Sequence, residues 1–425
     1  MTIFAQNLKQ MEYNTSLFLD TRRAKENGSF PIKLRVYSTQ LQLKKLYATK
    51  YEMTIKEFHS IWETLKPRKE NQETRDELQA ILTRANEVCK TLQPFSFTQF
   101  EKRYLRNTGE GNNIVYQYDS VIEKLNQNNC IGTASNYDLS LKSLLNFIEH
   151  SKGKRPVKVA FSEITPEWLQ KYENYMVQVL GRSKTTVGIY LRPLRAVFNN
   201  AIAEKEIDFE IYPFGAKKYQ IPTGRNTKNA LSQEDLKKLF DATPNTDEQA
   251  KAKDFWFFSY ACNGMNIKDI ALLKNEDLQD DKIIFHRAKT INTSKADSRP
   301  ITVYLNDFSK SIIKKYRNSE IKKVEYLFPI LTNQETETLK HNKTKNFTKF
   351  INQNIKKLAL SKGITGDIST YWARHSFATN SIRNGASMEF VMEALNHSNM
   401  KTTKGYFAGF EDKTKKEFMQ KLMDF

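Results

Sequence analysis

Residues 13–53 alternate apolar and polar side chains with the two-residue period that is typical of β-strands. The alternation is clearest in three segments, residues 15–20, 32–37 and 41–47. Thr54 and Glu57 have the spacing of a capping box, which predicts that a helix begins after the third strand. The pattern therefore predicts a three-stranded sheet backed by a helix, and residues 71–92 are predicted to form a further, charged helix.

The period changes to 3.6 residues over residues 110–205, which predicts amphipathic helices. Thr165 before Pro166 is a helix-start signal, and so is Ser183 before a later apolar stripe. Residues 212–229 are rich in proline, glycine and lysine, which is the composition of a linker. We therefore expect a four-helix unit that is followed by a linker.

The remainder of the chain mixes the two periods. Ser232 followed by Glu234 predicts another helix start. Residues 282–290 and 299–305 alternate like the two strands of a hairpin, with a polar tip at residues 291–298. Helical patterns then continue to the end of the chain.

At roughly 150 residues per domain, the 425 residues correspond to about three domains. The predicted fold is multidomain and mainly α. It combines a small N-terminal β-sheet with a helix over residues 1–105, an all-helical domain over residues 110–210, and an α-rich domain with a small β-hairpin over residues 225–425.

Composition narrows the class of protein. Hydrophobic residues make up 39% of the chain, which is enough to build several cores and excludes wholesale disorder. Cys89, Cys130 and Cys262 are too far apart for a disulfide scaffold or a Cys-rich zinc site. No apolar run approaches the length of a membrane span, and the first residues do not resemble a secretion signal. We therefore expect a cytoplasmic protein without membrane contact.

The charge balance adds a class of partner. The chain has 67 lysine and arginine residues against 48 acidic residues, a formal net charge of +19. The excess lies within predicted strands and helices, as over residues 282–323 and 339–366, and not in a tail. Cations on a folded surface suit the phosphates of double-stranded DNA, and a basic surface that serves only solubility is the alternative.

Candidate chemistry is concentrated near the C-terminus. Arg374 offers a guanidinium fork for phosphate oxygens, His397 a proton donor, and Tyr406 a hydroxyl nucleophile. Cleavage of a phosphodiester requires these three functions together. Each residue alone is a weak signal, but the order Arg-His-Ser-Phe-Ala-Thr, Asn-His-Ser and Thr-Thr-x-x-Tyr is specific.

These motifs resemble the catalytic boxes of the tyrosine recombinases, the phage-integrase family. Residues 371–379 are similar to the second box, and residues 395–398 with Tyr406 are similar to the third. Residues 263–269 align with the first box, and Lys289 matches the family's hairpin lysine. The resemblance implies an arm-type DNA-binding domain, a SAM-like core-binding domain and a catalytic domain, in that order. The arrangement is most similar to integrases of conjugative transposons and related mobile elements.

Two positions depart from the family pattern. Asn266 stands at the first-box arginine, and Tyr371 stands at the second-box histidine, so the phosphate site loses charge. We expect a nearby cation to compensate, with Lys253 and Arg287 as candidates, or Asn266 to act as an uncharged phosphate ligand. His375 is expected to be structural, packing behind the second-box arginine.

The resemblance implies a site-specific recombinase that cleaves and rejoins DNA through a 3′-phosphotyrosyl intermediate, without metal or ATP. No P-loop or HExxH motif occurs in the sequence. The catalytic candidates are Tyr406, Arg374, His397, Lys289, Tyr371 and Asn266. The candidate DNA contacts are Lys33, Arg35, Arg182, Lys184, Arg192, Arg195 and Arg287.

The implied partners are core and arm sites in double-stranded DNA, further copies of the chain in a homotetramer, and a host DNA-bending protein, with the recombinase associated with the nucleoid. Residues 412–425 are expected either to dock on a neighbouring protomer or to fold back onto their own domain. Two other functions stay open. One is a DNA-binding regulator of recombination that has lost catalysis through Asn266 and Tyr371, and the other is a type IB topoisomerase-like nicking enzyme.

Overall fold

The computed structural model describes residues 13–92, 94–105, 110–224, 229–289, 299–319, 322–410 and 412–421. The chain is mainly helical and forms two compact units. The first unit comprises residues 1–124 and 136–222, and the second comprises residues 125–135 and 223–425. No helix in the described ranges combines the length and the apolarity needed to cross a lipid bilayer.

An antiparallel sheet opens the first unit. Its strands, in spatial order, are β1 (Tyr13–Leu19), β2 (Phe30–Ser38) and β3 (Leu43–Met53). Leu34 and Val36 on β2 are fully buried and Arg35 between them is exposed, because successive side chains of a strand point to opposite faces. The three predicted strands are confirmed, although β3 begins and ends later than its alternation indicated.

Three helices accompany the sheet: α1 (Ile55–Phe58), α2 (Gln72–Lys90) and α3 (Phe97–Tyr104). The predicted capping box is present, since Thr54 Oγ1 accepts from the Glu57 amide at 3.3 Å and the Glu57 carboxylate accepts from the Thr54 amide at 2.8 Å. Leu78 and Phe100, from α2 and α3, are fully buried in the same apolar cluster as the sheet. These longer helices therefore supply much of the core opposite the strands.

A helical domain, most of which belongs to the first unit, is built on α4 (Ile114–Gln127), α5 (Ile131–Lys152), α6 (Pro166–Asn174) and α7 (Lys184–Ala203). Both predicted start signals act as N-caps. Thr165 accepts from the Trp168 amide at 3.2 Å, and Ser183 accepts from the Thr186 amide at 3.2 Å. The four-helix prediction is therefore confirmed within the described residues.

Helices also dominate the second unit. In its described part they are α8 (Gln233–Asp241), α9 (Asp247–Ala261), α10 (Ile267–Leu272), α11 (Asp307–Tyr316), α12 (Glu337–Ser361), α13 (Thr370–Arg383), α14 (Met388–Ala394), α15 (Met400–Lys404) and α16 (Asp412–Lys421). Ser232 caps α8, as predicted, by accepting from the Asp235 amide at 3.0 Å. Helix α9 buries Phe255, Trp256 and Phe258 and packs against α12 and α13. It is therefore the central helix of this unit, around which the functional elements are arranged.

A small antiparallel sheet joins these helices, with strands β4 (Leu278–Gln279), β5 (Lys282–Phe285) and β6 (Ile301–Tyr304). The predicted pairing of the two hairpin strands is confirmed, and the predicted tip, residues 291–298, lies outside the described residues. The prediction that the first strand of the hairpin reaches residue 290 is wrong, because β5 ends at Phe285, so Arg287 and Lys289 lie beyond it. There the Ala288 amide donates to Asp269 Oδ1 at 3.0 Å.

The last described helix, α16, is exposed. Phe418 and Met419 have 62% and 63% of their surface accessible, and the other described side chains of α16 are also exposed. Packing of this helix onto its own domain is therefore not found in the described residues.

Candidate active site

Arg374 is the most deeply buried of the candidate catalytic residues, at 4% exposure. It lies on α13, where its Nη1 donates to the Gly264 carbonyl at 3.0 Å and its Nη2 to the Leu395 carbonyl at 2.7 Å. These two carbonyls belong to the turn before α10 and to the end of α14. The guanidinium is thus held in place by hydrogen bonds to two separate segments of the chain.

The turn before α10 approaches Arg374 closely. Gly264 has a positive φ of 64°, and a Cβ placed there would lie 2.7 Å from Arg374 Cα. Only glycine satisfies both the left-handed backbone and this approach. The close approach of this turn to Arg374 therefore requires glycine at position 264.

Tyr406 lies beside Arg374, just after α15. Its hydroxyl is 2.5 Å from the Tyr371 hydroxyl, and its ring centroid is 5.6 Å from Arg374 Cζ. Burial and the Tyr406 hydroxyl raise the pKa of Tyr371, so Tyr371 is a neutral phenol at pH 7. Tyr371 is nevertheless 48% exposed, which leaves the paired hydroxyls accessible from solvent.

His397 connects the arginine to the segment that carries Tyr406. Its Nε2 lies 3.3 Å from Arg374 Nη2, and its Nδ1 lies 3.1 Å from Thr403 Oγ1. A guanidinium has no acceptor, so Nε2 accepts and Nδ1 carries the proton. Burial, followed by the charges of Arg374, Arg287 and Lys289, lowers the pKa of His397 to about 4. His397 is therefore neutral at pH 7 in this DNA-free state, and its Nε2 is an acceptor, not yet the predicted proton donor.

Two residues of the first-box segment, Asn266 and Asp269, form a hydrogen-bonded pair. Asn266 is the N-cap residue of α10, and its side chain hydrogen-bonds to Asp269, which is 6% exposed. Burial raises the pKa of Asp269, and the Ala288 amide, Arg287 and Arg374 oppose that rise. Asp269 thus connects the α9–α10 turn with the end of β5.

The two candidates for the compensating cation differ in position. Burial is the largest cause of the lowered pKa values of Arg374 and His397, and the charge of nearby Arg287 lowers both further. The same charge opposes the rise in the pKa of Tyr371. Lys253 is engaged elsewhere, since its Nζ donates to the Ala242 carbonyl at 2.8 Å. The structure therefore brings Arg287, and not Lys253, into the candidate site.

Two family models match the chain. "Phage integrase SAM-like domain" covers residues 113–221, and "Phage integrase family" covers residues 229–412. The chain belongs to the phage integrase family. It is a tyrosine-type site-specific recombinase.

Relatives of this integrase are divergent in sequence. Tyrosine recombinase XerD of Oceanobacillus iheyensis is 26% identical over 282 residues, which cover 64% of this chain and 86% of that protein. Tyrosine recombinase XerA of Thermococcus onnurineus is 25% identical over 227 residues, covering 53% and 71%. A solved lambda integrase dimer bound to a COC′ core site has a TM-score of 0.50 and 13% identity, over 71% of this chain and 98% of that one. That structural likeness shows a shared fold.

The predicted DNA contacts of this integrase other than Arg287 fall into two groups. In the sheet, Lys33 forms an ion pair with Asp20 at 2.7 Å, while exposed Arg35 donates to Ser16 Oγ at 2.9 Å. In the helical domain, the exposed side chains are Arg182, Lys184, Arg192 and Arg195. The last three lie on one side of α7, and we call them the α7 stripe; Lys184 forms an ion pair with Glu173 at 3.7 Å.

Several residues that shape the site escaped the sequence analysis. Gly264, Asp269, Thr379 and Thr403 all contact the candidate catalytic groups, and all four stand inside the quoted motifs, which was the available signal. His375 is buried, as expected of a structural residue, but it stacks on the Tyr406 ring at 4.6 Å. Its described contact is thus with the nucleophile candidate.

Proposed function

We propose that this integrase cleaves and rejoins DNA through a covalent bond between Tyr406 and a 3′-phosphate. The observation that carries the proposal is the meeting of a solvent-accessible tyrosine hydroxyl, a buried guanidinium and a neutral imidazole around one space. A phosphodiester placed there has a nucleophile, a charge partner and a proton-transfer group within reach.

The proposed reaction is an in-line exchange at phosphorus. The Tyr406 oxygen attacks phosphorus and loses its proton, the bond from phosphorus to the 5′-oxygen breaks, and the released 5′-oxygen takes up a proton to become a hydroxyl. Reversal by the 5′-hydroxyl of a partner duplex transfers the strand, and a second exchange resolves the Holliday junction. Each step trades one phosphate ester for another, so the proposal requires neither ATP nor a metal ion.

We assign the neutralisation of the negative charge on the phosphate oxygens to three cations, Arg374, Lys289 and Arg287. Asn266 supplies no positive charge, and Arg287 is the nearby cation that can replace it. His397 accepts a proton or donates one after the phosphate enters, because a bound anion favours the protonated imidazole and raises its pKa. Tyr371 remains neutral and contributes a hydrogen bond.

A suicide substrate with a nick near the cleavage point tests the chemistry. We expect a covalent protein–DNA adduct with the wild-type chain and no adduct with Y406F, which keeps the ring but lacks the nucleophilic oxygen. Tight binding with no wild-type adduct would instead support the regulator, and relaxation of a plasmid without an attachment sequence would support the topoisomerase-like enzyme.

We further propose that the α7 stripe binds core-type sites, that the N-terminal sheet binds arm-type sites, and that a homotetramer forms on DNA with a host bending protein in the nucleoid. The solved lambda integrase relative is a dimer on a core site.

Exposed Phe418 and Met419 on α16 support docking on a neighbouring protomer. We expect F418D to keep binding one site but to lose the tetramer on paired sites in native gels. An unchanged tetramer would refute this role of α16.

A further inference from the structure

One face of α13 holds the backbone that follows the nucleophile candidate. His375, Thr379 and Arg383 are spaced at four-residue intervals and therefore lie on one side of the helix. His375 Nδ1 lies 3.3 Å from the Tyr406 carbonyl, and Arg383 Nε donates to the Gly409 carbonyl at 2.9 Å. We call these three residues the α13 ladder.

Thr379 makes the most specific contacts of the α13 ladder. Its Oγ1 donates to the Tyr406 carbonyl at 3.2 Å and accepts from the Ala408 amide at 3.1 Å. The side chain is fully buried, so water does not replace either bond without a rearrangement. One hydroxyl thus closes a ring with two backbone groups on either side of Phe407.

The outer members of the α13 ladder constrain the same segment. His375 stacks its ring on Tyr406 with centroids 4.6 Å apart, which fixes the plane of the phenol. The Nδ1 contact to a carbonyl requires a proton on Nδ1, and burial lowers the pKa of His375. Gly409 has a φ of 95°, so the chain turns immediately after the contact with Arg383.

The same helix also carries Arg374 and Tyr371, which face the reacting groups. A rigid α-helix fixes the separation between residues on its surface, so the phosphate ligand and the nucleophile are positioned from one element. We infer that the α13 ladder sets the position of the Tyr406 hydroxyl before DNA binds, with Thr379 as the central positioning residue. This inference rests on the proposed function of Tyr406.

The test compares T379V with T379S. Valine keeps the shape of threonine without the hydroxyl, and serine keeps the hydroxyl. For T379V we expect faster hydrogen exchange of the peptide that contains Ala408, and single-turnover cleavage of the suicide substrate slower by up to about 100-fold. DNA affinity should remain near the wild-type value, and the thermal midpoint should fall only modestly, because two backbone groups lose their hydrogen-bond partner. T379S should restore both exchange protection and cleavage, and R383Q should show a weaker form of the T379V effect.

S381A serves as the matched control, because Ser381 lies on α13 outside the ladder, and it should behave like wild type. A T379V protein with wild-type exchange or a wild-type cleavage rate would overturn the inference. The inference would also be overturned if cleavage by T379V fell only in proportion to losses of DNA affinity and stability, because that pattern indicates a role in folding alone. Absence of adduct with the wild-type chain refutes the proposed function itself, whatever the exchange data show.

Discussion

Arg374 is a buried cation whose surroundings favour an anionic ligand. Its described hydrogen bonds go to two neutral carbonyls and a neutral imidazole, and burial followed by Arg287 lowers its pKa. Asp269 is the nearby carboxylate, and it also faces Arg287. A phosphate diester entering this space would relieve the repulsion between the two guanidinium groups. The residue-level electrostatics thus match the proposed substrate.

The position of Arg287 leads to a direct test of charge compensation. R287A should slow single-turnover cleavage by about 100-fold, because losing one charge partner costs on the order of 3 kcal/mol in the transition state. K253A is the matched control and should cleave at the wild-type rate, since Lys253 binds the Ala242 carbonyl. Equal rates for R287A and wild type would rule out compensation by Arg287.

His397 gives the folded protein a specific pH dependence. Its pKa is lowered from 6.5 to about 4 on folding, so between those pH values the unfolded chain binds a proton that the folded chain does not. Stability from this group is present above pH 6.5 and is lost as the pH falls. From pH 7 to pH 5 the loss should be about 2 kcal/mol.

Urea unfolding of wild type and H397N at both pH values measures this loss. Asparagine does not titrate, so the variant should lose less stability than wild type by that amount. Parallel pH profiles for the two proteins would show that His397 titrates normally when folded.

At the scale of elements, the α9–α10 turn and α13 form the rigid part of the site. The turn supplies the Gly264 carbonyl to Arg374 and the Asn266 cap to α10, while α13 supplies Arg374 and Tyr371. The hairpin contributes from its end, since β5 stops at Phe285. Helix α13 therefore carries Arg374 and the hydrogen-bond partner of the nucleophile candidate, and the segment after β5 carries Arg287 and Lys289.

The close approach of this turn predicts a severe effect for G264A. A Cβ at residue 264 would meet Arg374 Cα at 2.7 Å, so the turn or α13 must shift and cleavage should fall. G363A is the matched control. Gly363 also has a positive φ, of 73°, but a Cβ there would have no neighbour within 4 Å.

Both variants should lose about 1 kcal/mol in the free energy of unfolding from left-handed strain. G264A should lose a further 1–3 kcal/mol, roughly, from overpacking. Denaturant unfolding and adduct formation measure the two effects. Similar losses for the two variants would show that the turn yields without disturbing Arg374.

At the scale of the whole molecule, the net positive charge and the exposed basic side chains suit binding to DNA phosphates. The net charge is +19. Arg192 and Arg195 of the α7 stripe are exposed, and neither forms an ion pair with another described residue. Neutralised phosphates release counterions, so affinity should fall steeply as salt rises.

R195A should therefore weaken binding about equally on all DNA sequences and reduce the slope of log affinity against log salt by about 0.9. K142A is the control, because Lys142 on α5 is already paired with Asp138 at 2.7 Å, and it should keep the wild-type slope. Fluorescence anisotropy over a salt series measures both slopes. An unchanged slope for R195A would exclude this position from the phosphate contacts.

The sequence by itself determined many of the elements and the residue types that are proposed to carry the chemistry. Alternation and caps are local properties, so the N-terminal strands and the helices after Thr165, Ser183 and Ser232 were predictable. The boxes around Arg374 and Tyr406 were readable because their spacing in sequence is short.

Only the tertiary structure decided contacts between residues far apart in sequence. It places Arg287, and not Lys253, close to Arg374. It also ends β5 before Arg287 and stacks His375 on the Tyr406 ring. It also made His397 a neutral acceptor, because desolvation and neighbouring charges depend on packing and not on residue type. Such effects arise when the chain brings distant groups within a few ångströms, and a linear pattern does not contain those distances.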